Sequence, residues 1–142
     1  MRLTSFTDYG LRLLMRMAGD PERAFSAGDL AAEFGVSRNH LAKVISTLAA
    51  HGFLKTRRGG QGGAVLGRPA SDIRLGDVVA LLEANQALVE CFAGAGNLCT
   101  LTAGCRLKAR LARAEAAFID DLNRSTLADC AYPAPTAAAP SG

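Results

Sequence analysis

The stretch Ser26-Ala27-Gly28-Asp29-Leu30-Ala31-Ala32-Glu33-Phe34-Gly35-Val36-Ser37-Arg38-Asn39-His40-Leu41-Ala42-Lys43-Val44-Ile45-Ser46-Thr47-Leu48 decides the fold. Its first part carries Leu30, Ala31 and Phe34 at helical spacing and is closed by Gly35. Ser37 then stands where an N-cap belongs, and Leu41, Val44, Ile45 and Leu48 follow at i, i+3, i+4 and i+7, which makes one buried stripe. Two short helices joined by a tight glycine turn form a helix-turn-helix. With the stripe turned inward, the opposite face presents Arg38, Asn39, His40, Lys43 and Thr47 to a major groove. Arginine can bridge guanine O6 and N7, and asparagine can bridge adenine N6 and N7, so Arg38 and Asn39 are the expected base readers.

Just downstream, Phe53-Leu54-Lys55-Thr56 and Ala64-Val65-Leu66 predict two short strands. The turn between them, Arg57-Arg58-Gly59-Gly60-Gln61-Gly62-Gly63, is a glycine-rich tip armed with two arginines. That hairpin makes the motif a winged helix. Arg57, Arg58 and Lys43 are expected to meet phosphates or the minor groove, which gives affinity and salt dependence with little sequence information.

Upstream, Ser5-Phe6-Thr7-Asp8 has the form of a capping box before Leu13, Leu14 and Met17, and Gly19-Asp20-Pro21 should end that first helix. Past the wing, Pro69 and Ser71 are expected to open another helix, with Ser71 as its cap and Leu75, Val78, Val79 and Leu82 on one face. Periodicity lapses over residues 85–104, where Cys91 and Cys99 occur and which Cys105 directly follows. It returns as Leu107, Leu111, Ala114, Phe118 and Leu122, an apolar seam on a long helix that a partner subunit could cover. The expected fold is mainly α with a small β wing. It divides into a DNA-binding region over 1–84, a loop over 85–104, a dimerisation helix over 105–130 and a disordered, alanine- and proline-rich tail over 131–142.

Composition fits this reading. The 142 residues are 49% hydrophobic and 20% charged, the balance of a globular protein. Residues 1–70 hold ten Lys/Arg against five Asp/Glu, whereas residues 71–142 hold six against eight, so positive charge gathers on the half with the reading helix. No stretch approaches the roughly 20 apolar residues of a membrane span, and Arg12 and Arg16 interrupt the early apolar run, so no export signal is read and a cytoplasmic location is expected. An enzyme is not expected: the two histidines, His40 and His51, both lie on the reading helix or its end, and no phosphate loop or Ser/His/Asp arrangement surrounds them.

The cysteines follow a Cys-x7-Cys-x5-Cys spacing, with Cys130 far downstream. In a reducing compartment such a group is more often metal-binding or redox-active than a disulfide framework. The spacing is looser than the paired ligands of zinc sites, and a longer loop can span an iron–sulfur cluster. Buried thiols of no special role fit the spacing as well.

Met1-Arg2-Leu3-Thr4-Ser5-Phe6-Thr7-Asp8-Tyr9-Gly10-Leu11-Arg12, Gly35-Val36-Ser37-Arg38-Asn39-His40-Leu41, Gly62-Gly63, Leu66-Gly67-Arg68-Pro69-Ala70 and Ile73-Arg74-Leu75-Gly76-Asp77-Val78-Val79 resemble, in order, the NsrR group of nitric-oxide-sensing repressors. That group belongs to a winged-helix family that also includes the iron–sulfur regulator IscR. The resemblance implies a homodimer joined by the long C-terminal helix and a 2Fe-2S or 4Fe-4S cluster bound by Cys91, Cys99 and Cys105. In the IscR branch a histidine three residues after the third cysteine completes the ligands; here that position is Lys108. In some NsrR-like proteins a carboxylate near the partner's N-terminus takes this role, and Asp8 matches it, although Asp8 can equally serve its own helix or pair with Arg12. The implied function is repression of a double-stranded operator, relieved by nitric oxide. Two readings on the same fold compete with it: a sensor of redox or iron–sulfur status, and a metal-free switch in which Cys91, Cys99 and Cys105 form disulfides.

Overall fold

The computed structural model describes residues 1–58 and 62–133. Among these residues it has five α-helices, α1 (Ser5–Ala18), α2 (Ala27–Phe34), α3 (Arg38–Ala50), α4 (Leu75–Leu82) and α5 (Arg106–Leu122), and one antiparallel pair, β1 (Leu54–Arg57) and β2 (Gly63–Leu66). Short 3-10 turns fill the connections. A single core gathers Leu13, Leu14, Leu30, Leu41, Val44, Leu48, Ile73, Val78 and Leu127, each fully buried. No helix among the described residues is long and apolar enough to cross a membrane.

The helix-turn-helix forms as its sequence dictates. Ser26 caps α2 by accepting the Asp29 amide at 3.0 Å, and Ser37 caps α3 by accepting the His40 amide at 3.3 Å. Gly35 between them sits at φ +68°, a left-handed conformation that a side chain would strain. The hairpin pairs Leu54 with Leu66 through Arg57 with Gly63. Its second strand also exchanges two hydrogen bonds with Phe25 through Ala64, at 2.9 and 2.8 Å, which ties the wing to the segment before α2. Residues 59–61, the expected glycine tip, lie outside the described residues.

Four local expectations change. Thr4, not Ser5, caps α1: its hydroxyl accepts the Thr7 amide at 3.3 Å while its backbone stays extended, so Ser5 is already helical and the Ser5–Asp8 capping box does not form. Ser71 caps nothing; it lies in a 3-10 turn, Ala70–Asp72, and α4 starts after Arg74 with no side-chain cap. The late helix stops at Leu122, because the chain turns back to place a 3-10 turn, Leu127–Cys130, in the core. Leu127 is fully buried and its amide donates to the Ile73 carbonyl at 2.7 Å. Finally, the first residues of the expected disordered tail are fixed, since the Tyr132 amide donates to the Met15 carbonyl of α1 at 2.9 Å. Residues 134–142 lie outside the described residues.

Candidate nucleic-acid interface and cysteine loop

Burial of Leu41, Val44, Ile45 and Leu48 fixes which way α3 faces. Arg38, Asn39 and Lys43 are exposed on the outer side, and Ser37 is exposed at the cap. Ser46 shares this face two turns along from Asn39. Sequence reasoning passed over it, although its i+7 spacing from Asn39 marks it.

Two residues expected on the outer face turn elsewhere. Thr47 is half-buried and its hydroxyl donates to the Lys43 carbonyl at 3.1 Å, a bond within its own helix. His40 is half-buried against α1, stacked on the Phe6 ring at 6.1 Å between centroids and meeting the Tyr9 ring edge-on at 5.1 Å. Its imidazole clamps the first turn of α3 to α1.

Arg57 and Arg58 are exposed at the end of β1. Between α3 and the wing runs a groove of about 480 Å³, lined by Ala42, Ser46, Ala49, Thr56 and Arg57 among others. The outer side of α3 and the first wing arginine therefore border one continuous surface. Small side chains on the helix leave room there for a flat or rounded partner surface to approach.

The cysteine loop is built differently. Beyond α4 the chain runs from Asn85 to Gly104 with only two 3-10 turns, Glu90–Phe92 and Thr102–Gly104, and contributes no buried side chain. Polar bonds shape it: the Glu90 carboxylate accepts the Leu98 amide at 3.0 Å, Asn97 Oδ1 accepts the Cys99 amide at 3.0 Å, and Thr102 Oγ1 donates to the Cys99 carbonyl at 3.1 Å. Gly94 and Gly96 adopt φ +72° and +87°. Cys91 and Cys105 are half-buried, Cys99 is exposed, and all four cysteines are free thiols. Cys105 caps α5, its sulfur accepting the Lys108 amide at 3.4 Å.

In this conformation the three loop cysteines do not converge. Among the described residues no three Cys, His, Asp or Glu side chains stand close enough to hold a metal ion. The donor chemistry nevertheless suits an iron–sulfur cluster: three thiols within one glycine-bearing loop that has little core to break before it can close. Asp8 is engaged by Arg12, one turn on, through contacts of 2.7 and 3.2 Å, and its side chain remains 47% exposed. The seam residues also lie open. No residue of α5 is buried; Leu107 is 62% exposed, Ala114 is exposed, and Leu111, Phe118 and Leu122 are half-buried.

Comparisons with known proteins agree with this architecture. The model of the family described as Rrf2, iron-dependent transcriptional regulator, matches residues 3–133. The crystal structure of the oxidized form of Staphylococcus aureus CymR is similar at a TM-score of 0.71 and 25% identity, covering 96% of this chain and all of that one. CymR (YrzC), the global cysteine regulator of B. subtilis, is similar at a TM-score of 0.70 and 26% identity, over 92% and 96% of the two chains. T. potens IscR is similar at a TM-score of 0.68 and 25% identity, over 91% and 85%. The chain described above is a member of the Rrf2 family of DNA-binding transcriptional regulators.

Proposed function

We propose that this regulator is a repressor that binds a near-palindromic operator as a homodimer and senses nitric oxide through an iron–sulfur cluster held by Cys91, Cys99 and Cys105. The observation that carries the reading is the placement of three thiols on one sparsely packed loop directly between α4 and α5, with the third at the start of α5. The family's description as iron-dependent supports it. Bound there, a cluster would supply iron able to react with nitric oxide. Asp8 of the partner subunit is the proposed fourth ligand, half-exposed and oriented by Arg12.

The protein's own residues do the reading. Arg38 and Asn39 meet base edges, Ser37 at the cap and Ser46 further along lie exposed beside them, and Lys43, Arg57 and Arg58 hold phosphates; His40 positions the helix from behind. The open seam of α5, from Leu107 through Leu111, Ala114 and Phe118 to Leu122, is the proposed dimer contact. Two half-sites must lie about one DNA turn apart, roughly 34–36 Å, so a small rotation at that seam displaces one reading helix.

Anaerobic purification followed by iron and sulfide analysis and a nitric oxide titration of operator binding tests this reading. Iron and sulfide in the protein, with operator affinity lost as nitric oxide is added, is the expected result; unchanged affinity after complete reaction defeats it. The exposed Cys99 and the separation of the three thiols favour a second reading, a metal-free thiol switch. Colourless protein without iron or sulfide, released from DNA by peroxide, supports that one instead.

A further inference from the structure

We propose that Glu83 is the positioning residue through which the state of the cysteine loop reaches the recognition helix α3. The inference rests on the reading of residues 85–104 as a sensor, and it assigns the route within one chain.

Glu83 directly follows α4, and only Ala84 separates it from the loop. Its Oε1 accepts the Thr4 amide at 2.7 Å, the Thr4 hydroxyl at 2.8 Å and the hydroxyl of Thr7. These donors sit at the cap and in the first turn of α1, where amides lack partners within the helix, and Thr7 is fully buried. Beside Glu83, Leu82 packs so closely on Gly10 that a methyl group on Gly10 would strike it. The end of α4 thus grips the start of α1.

The same turn of α1 grips α3. Phe6 precedes the buried Thr7 and Tyr9 follows it by two residues, and both hold the His40 ring. His40 lies between Asn39, an expected base reader, and the core residue Leu41. From the loop to Asn39 the path therefore has three links: Glu83, the first turns of α1, and His40. Each link is a direct contact.

On its other side Glu83 faces open space. A groove of about 970 Å³ lies between α4, α5 and the N-terminus, lined by Thr4, Glu83, Phe92 and Ala93 among others. Phe92 and Ala93 follow Cys91, so the first cysteine's segment borders the groove that Thr4 and Glu83 line. A void there lets the loop rearrange without breaking a packed wall, whereas the knot to α1 is tight. Partial burial of Glu83 opposes its ionisation, but the hydrogen bonds from Thr7 and Thr4 prevail and hold its carboxyl below the ordinary carboxylate value. The bonds to α1 are thus charge-assisted at neutral pH.

The test compares full-length protein in two states, as purified anaerobically and after treatment with nitric oxide or peroxide. The probe is a duplex that the native protein selects from a randomised pool, with binding followed by fluorescence anisotropy. The native ratio of affinities between the states is expected to be about tenfold or more. Glu83→Ala and Thr7→Val, which remove the acceptor and a donor from opposite sides, should each bring that ratio close to one. Iron, sulfide and titratable thiols per chain should stay as in the native protein. Glu83→Gln, which keeps an acceptor oxygen, should retain part of the ratio. A residue with a merely structural role would lower affinity in both states alike and leave the ratio intact; a native-like ratio in either folded variant overturns the proposal. Should Glu83→Ala fail to fold, the near-isosteric Thr7→Val decides. A native ratio of one instead defeats the sensor reading and the route with it, and the native arm alone reveals that case.

Discussion

Asn123, just past α5, holds Asp77 in the first turn of α4 by two hydrogen bonds: its Oδ1 accepts the Asp77 amide at 3.0 Å, and its Nδ2 donates to the Asp77 carboxylate at 3.1 Å. The side chain of Asn123 supplies to α4 the cap that Arg74 does not. Next to it, Gly76 lies against the Ile119 carbonyl and the Asn123 side chain with no room for a methyl group. Gly76→Ala should therefore force α4 and α5 apart at a cost of about 1–3 kcal/mol. Asn123→Ala should cost about 0.5–1.5 kcal/mol, since the bonds are exposed and water can reach the freed Asp77 amide. Urea unfolding of the two variants checks both, and native stability in Gly76→Ala would show that this approach does not constrain the helices.

The buried guanidinium of Arg16, 4% exposed, pairs with Glu33 at 2.8 Å and lies 5.0 Å from the Phe25 ring centroid. Glu33→Ala strands that charge. Because Glu33 is one-third exposed, the cost should fall below that of a fully buried pair, roughly 2 kcal/mol, read as a lower melting temperature. Arg16→Met with Glu33→Ala should recover part of it.

On DNA, the two kinds of contact separate by salt. Arg38→Ala and Asn39→Ala should each cost about 1–3 kcal/mol and relax base preference at one position of the half-site. Lys43→Ala, Arg57→Ala and Arg58→Ala should weaken binding to all sequences alike and reduce the slope of log affinity against log salt by about one unit each. Salt titrations on selected and scrambled duplexes distinguish the classes.

Cys99→Ala should abolish bound iron and tight operator binding, whereas Cys130→Ala should leave both as they are. Asp8→Ala should alter the absorbance of the iron-loaded protein with little change in stability, since its exposed pair with Arg12 contributes no more than about 0.5 kcal/mol. Equal effects of the Cys99 and Cys130 changes on iron content would remove the ligand assignment.

Acid should loosen the knot at Glu83. Its carboxyl titrates lower in the folded protein than in the unfolded chain, so the stabilisation it gives is fully present above the unfolded value and fades as pH falls through the folded one. Between neutral pH and the ordinary carboxylate range the knot should hold. Comparing unfolding of the native protein and Glu83→Gln across pH 3–7 should show the difference between them shrinking only at the acid end.

The reading half was legible because each of its devices is local. Ser26, Gly35 and Ser37 announce helix ends within a few residues, and the stripe from Leu41 to Leu48 repeats at helical period. What escaped sequence reasoning depends on distant partners. Nothing near His40 shows that Phe6 and Tyr9 will claim its ring, and nothing near Glu83 shows that three donors await it 76 to 79 residues upstream. The capping box failed for a related reason: Thr4, one position earlier, already had a carboxylate to bind. In the loop, spacing identified the thiols, but polar bonds through Glu90 and Asn97 decide how they stand.

Leu127 joins a core whose other members all come from residues 13–82. A nascent chain leaving the ribosome therefore cannot finish its DNA-reading half until Leu127, far beyond that half in sequence, has been translated and released. Cutting the gene after α4 to obtain a minimal binding module should leave a hollow where Leu127 belongs, and such a fragment should be prone to aggregate and to proteolysis.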